Sequence, residues 1–104
     1  MLFFHTINSG VRECSNRRDG VLVDVRLREE YLKDGHIPMS VNVPLAELNS
    51  CKIPKMKHLY VYCRTGARSR IAVRILKRMG YLYVKNIGGI NKYKGPLDYG
   101  EVER

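Results

Sequence analysis

Short apolar runs alternate along this chain with stretches of helical periodicity. Val21-Leu-Val-Asp-Val25 is a compact β-branched run behind the turn pair Asp19-Gly20, and it predicts a strand. Leu59-Tyr-Val-Tyr-Cys63 predicts a second strand. Ser40 to Val43, closed by Pro44, predicts a third, and Tyr83 to Ile87, closed by Gly88-Gly89, a fourth. Phe3 to Ile7 reads as an edge strand. Between these runs, Arg28 to Lys33 is rich in helix formers, and Ser69 to Met79 carries the strongest helical pattern. There Ile71, Ala72, Ile75, Leu76 and Met79 recur on one face, with Arg70, Arg74, Lys77 and Arg78 opposite. Gly80 stands where a helix C′ cap belongs. Cys14 keeps helical spacing with Ile7 and Val11, so core packing is its expected role.

Strands alternating with helices predict an α/β fold with a central, mainly parallel, four- to five-stranded sheet flanked by helices in three layers. Such sheets bind ligands in the crevice beyond the carboxyl ends of their strands. Cys63 is the last residue of one apolar run and precedes a glycine-containing loop and the long helix. The pattern therefore puts a thiol at the functional edge of the sheet.

Composition narrows the setting. The 104 residues contain no repeat and no Pro/Gly/Ser linker, which predicts one domain over residues 1–104. No apolar run approaches the roughly 20 residues needed to cross a bilayer. Met1 to Phe4 lacks a basic flank and a small-residue cleavage site, so no signal peptide is read and the cytoplasm is the expected compartment. The three cysteines are odd in number and form no C-x-x-C, which argues against a disulfide framework. Cys51, His58 and Cys63 match no usual zinc spacing, and no metal is expected. Cys51, in a loop near Pro54, reads as a bystander, with a resolving thiol as the alternative. Nineteen Lys and Arg against ten Asp and Glu give a net charge of +9, which favours anionic partners.

The chemistry concentrates in Cys63-Arg64-Thr65-Gly66-Ala67-Arg68-Ser69. A loop between a strand end and a helix start turns its N–H groups inward, and with the positive end of the helix it forms an anion-binding nest. Gly66 permits a backbone conformation closed to other residues. Arg64 and Arg68 add fixed positive charge. All three effects favour the thiolate, the nucleophilic form of cysteine.

This loop resembles the active-site loop of the rhodanese-like domain family, C-x-x-G-x-R followed by Ser or Thr. Three further pieces occur in the family's order. Asp24-Val25-Arg26 resembles its Asp-x-Arg, and Gly35-His36-Ile37-Pro38 with Asn42-Val43-Pro44 resembles its Gly-His-Ile-Pro-Gly-Ala-x-Asn-Ile-Pro. Gly88-Gly89-Ile90 with Tyr93 resembles its closing Gly-Gly-x-x-x-Trp. Met39-Ser40 stands for the family's Gly-Ala, and Tyr93 for its Trp.

The resemblance implies a sulfurtransferase without metal or organic cofactor. The Cys63 thiolate takes a sulfane sulfur from a donor such as thiosulfate and passes it from a persulfide to cyanide or a thiol. Residues Arg64 to Ser69 line the anion-binding loop. Arg68 is the first choice of supporting cation and Arg64 the second, while Thr65 and Ser69 supply hydroxyls. Asp24 and Arg26 are expected to form a structural polar network, and His36 to be a structural histidine rather than a base. Two rivals stand beside this reading. A cysteine phosphatase needs its arginine six residues beyond the cysteine, where this chain has Ser69. A non-catalytic rhodanese-like binding or regulatory module would use the basic helix face for docking. In the active protein, the same Arg70/Arg74/Arg78 face would meet an acidic sulfur-acceptor protein. No nucleic-acid motif and no membrane segment is read.

Overall fold

The computed structural model describes residues 6–101. Four parallel strands form one sheet: β1 (Gly20–Asp24), β2 (Val41–Asn42), β3 (His58–Cys63) and β4 (Tyr83–Gly89), in the order β2-β1-β3-β4. Helix α1 (Ile7–Ser15) covers one face, and α3 (Ala67–Arg78) with the 3₁₀ turn Leu45–Ser50 covers the other. The short helix α2 (Arg28–Lys33) follows β1. The expected three-layer α/β architecture is therefore present, with four strands in its sheet among the described residues.

The strand period of two sorts β3 between the layers. Tyr60 and Tyr62 join Ile7, Cys14, Leu22, Ile37 and Ile87 under α1. Leu59, Val61 and Cys63 join Val23, Val25, Leu48, Ala72 and Leu76 under α3. Cys63 thus ends a strand buried along nearly its whole length and faces the first turns of α3.

Several boundaries differ from the sequence expectation. Ile7 opens α1 rather than closing a strand, and Phe3 to His5 lie outside the described residues. The Thr6 hydroxyl caps α1 by accepting from the Ser9 N–H at 3.1 Å. The Ile7, Val11 and Cys14 spacing was the signal of this helix. Gly10 belongs to the same buried face, and a Cβ there would lie 2.5 Å from Ile87 Cγ2, so a glycine lets α1 rest directly on β4. Strand β2 shrinks to Val41–Asn42, between a turn in which the Ser40 N–H donates to Ile37 O and the proline at 44. Helix α3 starts two residues earlier than expected, and its core stripe is Ser69, Ala72, Val73 and Leu76, spaced i, i+3, i+4, i+7. Ile71, expected on the buried face, falls outside that stripe and is 49% exposed, while Val73 packs in its place. Gly80 ends the helix at φ 105°, with Tyr81 N–H to Leu76 O and Gly80 N–H to Lys77 O, the paired bonds of a Schellman cap.

The chain after Pro38 is strained. Met39 has φ 72° and is exposed, a left-handed conformation that a side chain disfavours. It occupies the position where the resemblance expects glycine. Among the described residues no helix is long and apolar enough to cross a membrane.

Candidate active site

Cys63 stands at the carboxyl end of β3 with 1% of its surface exposed. Its Sγ accepts the Gly66 N–H at 3.0 Å and lies 3.4 Å from the Ser69 hydroxyl. Burial pushes the thiol pKa up, but the Ser69 hydroxyl and the N–H groups of Ser69, Gly66 and Thr65 outweigh it, and the net displacement is downward. Cys14 moves the other way: burial, then the Glu13 carboxylate, pushes it up to about 11. Cys51 accepts the Tyr81 hydroxyl at 3.3 Å, beneath the 3₁₀ turn. The loop and helix start around Cys63 therefore separate a nucleophile from a packing cysteine.

The loop gets its shape from two glycines. Gly66 caps the start of α3 at φ 100°, in the left-handed region, which aims its N–H at the sulfur. Gly89, on β4, lies under the loop: a Cβ there would sit 2.4 Å from Arg64 O and 2.6 Å from Thr65 Cα. The Asn91 N–H holds Arg64 O at 3.1 Å from the same side. Arg64 and Thr65 themselves are exposed, and Ala67 is the exposed first residue of α3.

Ser69 is fully buried, and its one proton has three acceptors in range: Cys63 Sγ, Gly66 O at 3.1 Å and Asn86 Oδ1 at 2.7 Å. The Asn86 amide also donates to Gly66 O at 3.2 Å and accepts the Gly88 N–H at 2.9 Å. Asn86 thus ties β4 to the hydroxyl beside the thiol. Sequence reasoning missed it, although a lone amide just before a glycine pair was a usable signal.

Arg68, the first choice of supporting cation, is paired with a carboxylate. Its guanidinium grips both oxygens of Glu30, at 2.6 and 2.9 Å, and donates no hydrogen bond to the sulfur. Glu30 is held at about 2, against 4.5, mainly by this pairing. The largest groups that lower the Cys63 thiol are a hydroxyl and backbone dipoles, and Arg68 interacts with the thiolate through its charge without a hydrogen bond. Glu30 was also missed. Its place at the third position of α2, where it accepts the Leu27 N–H at 3.0 Å, reads from sequence only as a helix cap.

Asp24 and Arg26 form a buried pair at the end of β1, with Arg26 Nη2 at 2.7 Å from Asp24 Oδ2. The same carboxylate accepts the Arg26 N–H and Nε, and Arg26 Nη2 also donates to Gly35 O at 2.7 Å. The Asn42 amide holds the carbonyls of residues 24 and 26, each at 3.0 Å. This network pins β2 and the loop after α2 to the sheet. His36 is buried, stacks on Tyr31 with ring centroids 3.7 Å apart, and its Nδ1 lies 2.8 Å from Tyr31 O. It belongs to that structural layer and makes no hydrogen bond to the Cys63 loop.

A parallel α/β sheet here ends one central strand in a cysteine whose sulfur meets loop N–H groups, an arrangement chemically able to hold a small charged group on that sulfur. The profile of the rhodanese-like domain matches residues 10–96, and the chain belongs to that family. It is 36% identical over 78 residues to the thiosulfate sulfurtransferase PspE of Escherichia coli, covering 71% of this chain and 74% of that protein. It is 39% identical over 92 residues to the adenylyltransferase and sulfurtransferase uba4 of Ogataea parapolymorpha, covering 85% of this chain but only 23% of that longer protein. Among solved structures, a rhodanese with anions from E. coli superposes with a TM-score of 0.68 at 33% identity, over 77% of this chain and 98% of that one. The human single-domain sulfurtransferase TSTD1 superposes with a TM-score of 0.66 at 27% identity, over 76% of this chain and 83% of that one. Sulfur transfer is the class of chemistry these relatives support.

Proposed function

We propose that this protein moves a sulfane sulfur from a donor such as thiosulfate to a thiol or cyanide through a persulfide on Cys63. The observation that carries the reading is the convergence of N–H groups and the Ser69 hydroxyl on a buried strand-end sulfur whose thiol is displaced toward the thiolate. In the first step the thiolate attacks the outer sulfur of the donor, the S–S bond breaks, and sulfite leaves with the bonding pair. In the second step an acceptor nucleophile attacks the outer sulfur of the persulfide and regenerates the thiolate. The same donors stabilise the negative charge on Sγ in the resting state and on the terminal sulfur of the persulfide.

A phosphatase reading has less support. Ser69 occupies the position that an arginine would need, and the fork of Arg68 is already filled by Glu30. The three cysteines are free, which suits a reducing compartment such as the cytoplasm. Arg70, Arg74 and Arg78 lie exposed along α3, which begins at the Cys63 loop, and no carboxylate pairs with them among the described residues. This stripe suits an acidic acceptor protein that collects sulfur from the nearby persulfide.

Intact-mass measurement after exposure to thiosulfate tests the reading. One added sulfur atom, located on Cys63 and absent from Cys63→Ser, is the expected result. An unmodified Cys63, with cyanide-dependent turnover absent, would favour the non-catalytic binding module instead.

A further inference from the structure

The Cys63 loop carries two arginines, yet only Arg64 is left to solvent. Arg68 meets Glu30 fork to fork: Nη1 to Oε1 at 2.6 Å and Nη2 to Oε2 at 2.9 Å. The pair is no chance surface contact, because Glu30 Oε1 also accepts the Leu27 N–H at the start of α2 and is held there independently of Arg68. The side chains are 33% and 18% exposed, partly withdrawn from the screening of solvent and salt. An arginine in this position without a partner would present a bidentate cation to any oxyanion at the loop. With Glu30 in place, the loop offers dipoles and no net charge from this pair.

The two broad classes of sulfane donor differ in charge. Loading from thiosulfate is Cys63–S⁻ + S–SO₃²⁻ → Cys63–S–S⁻ + SO₃²⁻, with a dianion entering and a dianion leaving. Loading from an alkyl persulfide is Cys63–S⁻ + R–S–SH → Cys63–S–S⁻ + R–SH. The thiolate displaces RS⁻ and the persulfide proton passes to it, so the reacting form R–S–SH carries no net charge, even where its monoanion predominates in solution. Both balance without an oxidant. We infer that Glu30 sets donor choice: by holding Arg68 it withholds one of the loop's two cations from the donor, and it tilts the site from dianionic thiosulfate toward persulfides of low charge. The inference rests on the sulfurtransferase reading. Glu30 touches neither the sulfur nor the donor and acts through Arg68, as a positioning residue.

The test compares the rates at which thiosulfate and 2-hydroxyethyl persulfide load Cys63 in wild type and in Glu30→Gln, read by mass on the Cys63 peptide. The freed arginine should raise thiosulfate loading by about 5- to 10-fold at low salt, mainly through a lower KM, and that gain should shrink as salt is added. The neutral donor should change by less than about 2-fold, since no net charge on it meets the new cation. Equal changes for both donors, or slower thiosulfate loading, would overturn the inference. Failure of both donors to load wild-type Cys63 would instead overturn the sulfurtransferase reading beneath it. If Glu30→Gln does not fold, Arg68→Gln gives the opposite test. With Glu30 unpaired, thiosulfate loading should fall about 5- to 10-fold relative to the neutral donor, and an unchanged ratio would refute the assignment.

Discussion

Replacing Ser69 with alanine isolates the hydroxyl from the rest of the thiol's surroundings. The substitution removes one oxygen from a fully buried position and orphans no acceptor. Asn86 Oδ1 keeps the Gly88 N–H at 2.9 Å, and Gly66 O keeps the Asn86 amide and the Arg70 N–H, each at 3.2 Å. The fold should therefore survive, and the cost should fall on the sulfur. A hydrogen bond to a charged group contributes about 1.5–3 kcal/mol. This one is long, at 3.4 Å, and its proton is shared with two oxygens, so about half that range is appropriate. A loss of ~0.7–1.4 kcal/mol corresponds to a fall of about 3- to 10-fold in thiolate population at pH values below the titration midpoint. Iodoacetamide alkylation of Cys63 against pH reads this directly. Ser69→Ala should shift the midpoint upward, slow alkylation by that factor on the acid side, and leave the high-pH plateau unchanged. A midpoint that stays in place or moves down would show that the hydroxyl proton belongs to Asn86 and that the backbone N–H groups alone hold the thiolate.

Asp24→Ala leaves Arg26 charged, 2% exposed and without its carboxylate, so urea unfolding should show a loss of about 3–5 kcal/mol; a loss under ~1 kcal/mol would contradict a buried pair. Met39→Gly relieves a left-handed residue at a cost in unfolded-chain entropy, about 1–2 against 0.5–1 kcal/mol, and the net gain of roughly 0.5–1 kcal/mol should raise the thermal midpoint by a few degrees. Glu30 is depressed from 4.5 to about 2 in the folded protein, so its contribution to stability is complete above pH 4.5 and is lost as the pH falls toward 2. Glu30→Gln should flatten the stability profile in that window, and an unaltered acid limb would remove the pairing from the account. Changing Arg70, Arg74 and Arg78 together to Glu should spare turnover with thiosulfate and cyanide but cause a large, salt-sensitive loss with an acidic protein acceptor; equal losses in both assays would place the stripe in the active site.

Much of this fold was legible because its signals are local. The run Leu59 to Cys63 reads as a buried strand from its apolar residues alone, and the glycine three residues beyond Cys63 marks the turn into α3. What escaped the sequence was set across the fold. Ile71 has the residue type of a core position, yet the stripe that faces β3 begins at Ser69, because Ser69 lies beside the sulfur. Arg68 has the residue type of an anion ligand, but Glu30 lies 38 positions away and only the packing of α2 beside the loop brings the two together. Asn86 reaches the thiol's neighbour from β4, the last strand in chain order. Phe3 to Ile7 looked extended because its residues suit a strand, while the Thr6 cap decides the conformation from Ile7 onward.

The close approach of Gly89 to the Cys63 loop has a consequence for synthesis. The seven residues of the thiol motif leave the ribosome as a free peptide, with nothing beneath Arg64 and Thr65 to set their course. The backbone that supports them, Gly89 with the Asn91 N–H, is translated about 25 residues later. Until that last strand docks, the motif is complete in covalent structure but its amides are not gathered around the sulfur. The sulfur therefore has its loop held in place only once β4 is docked.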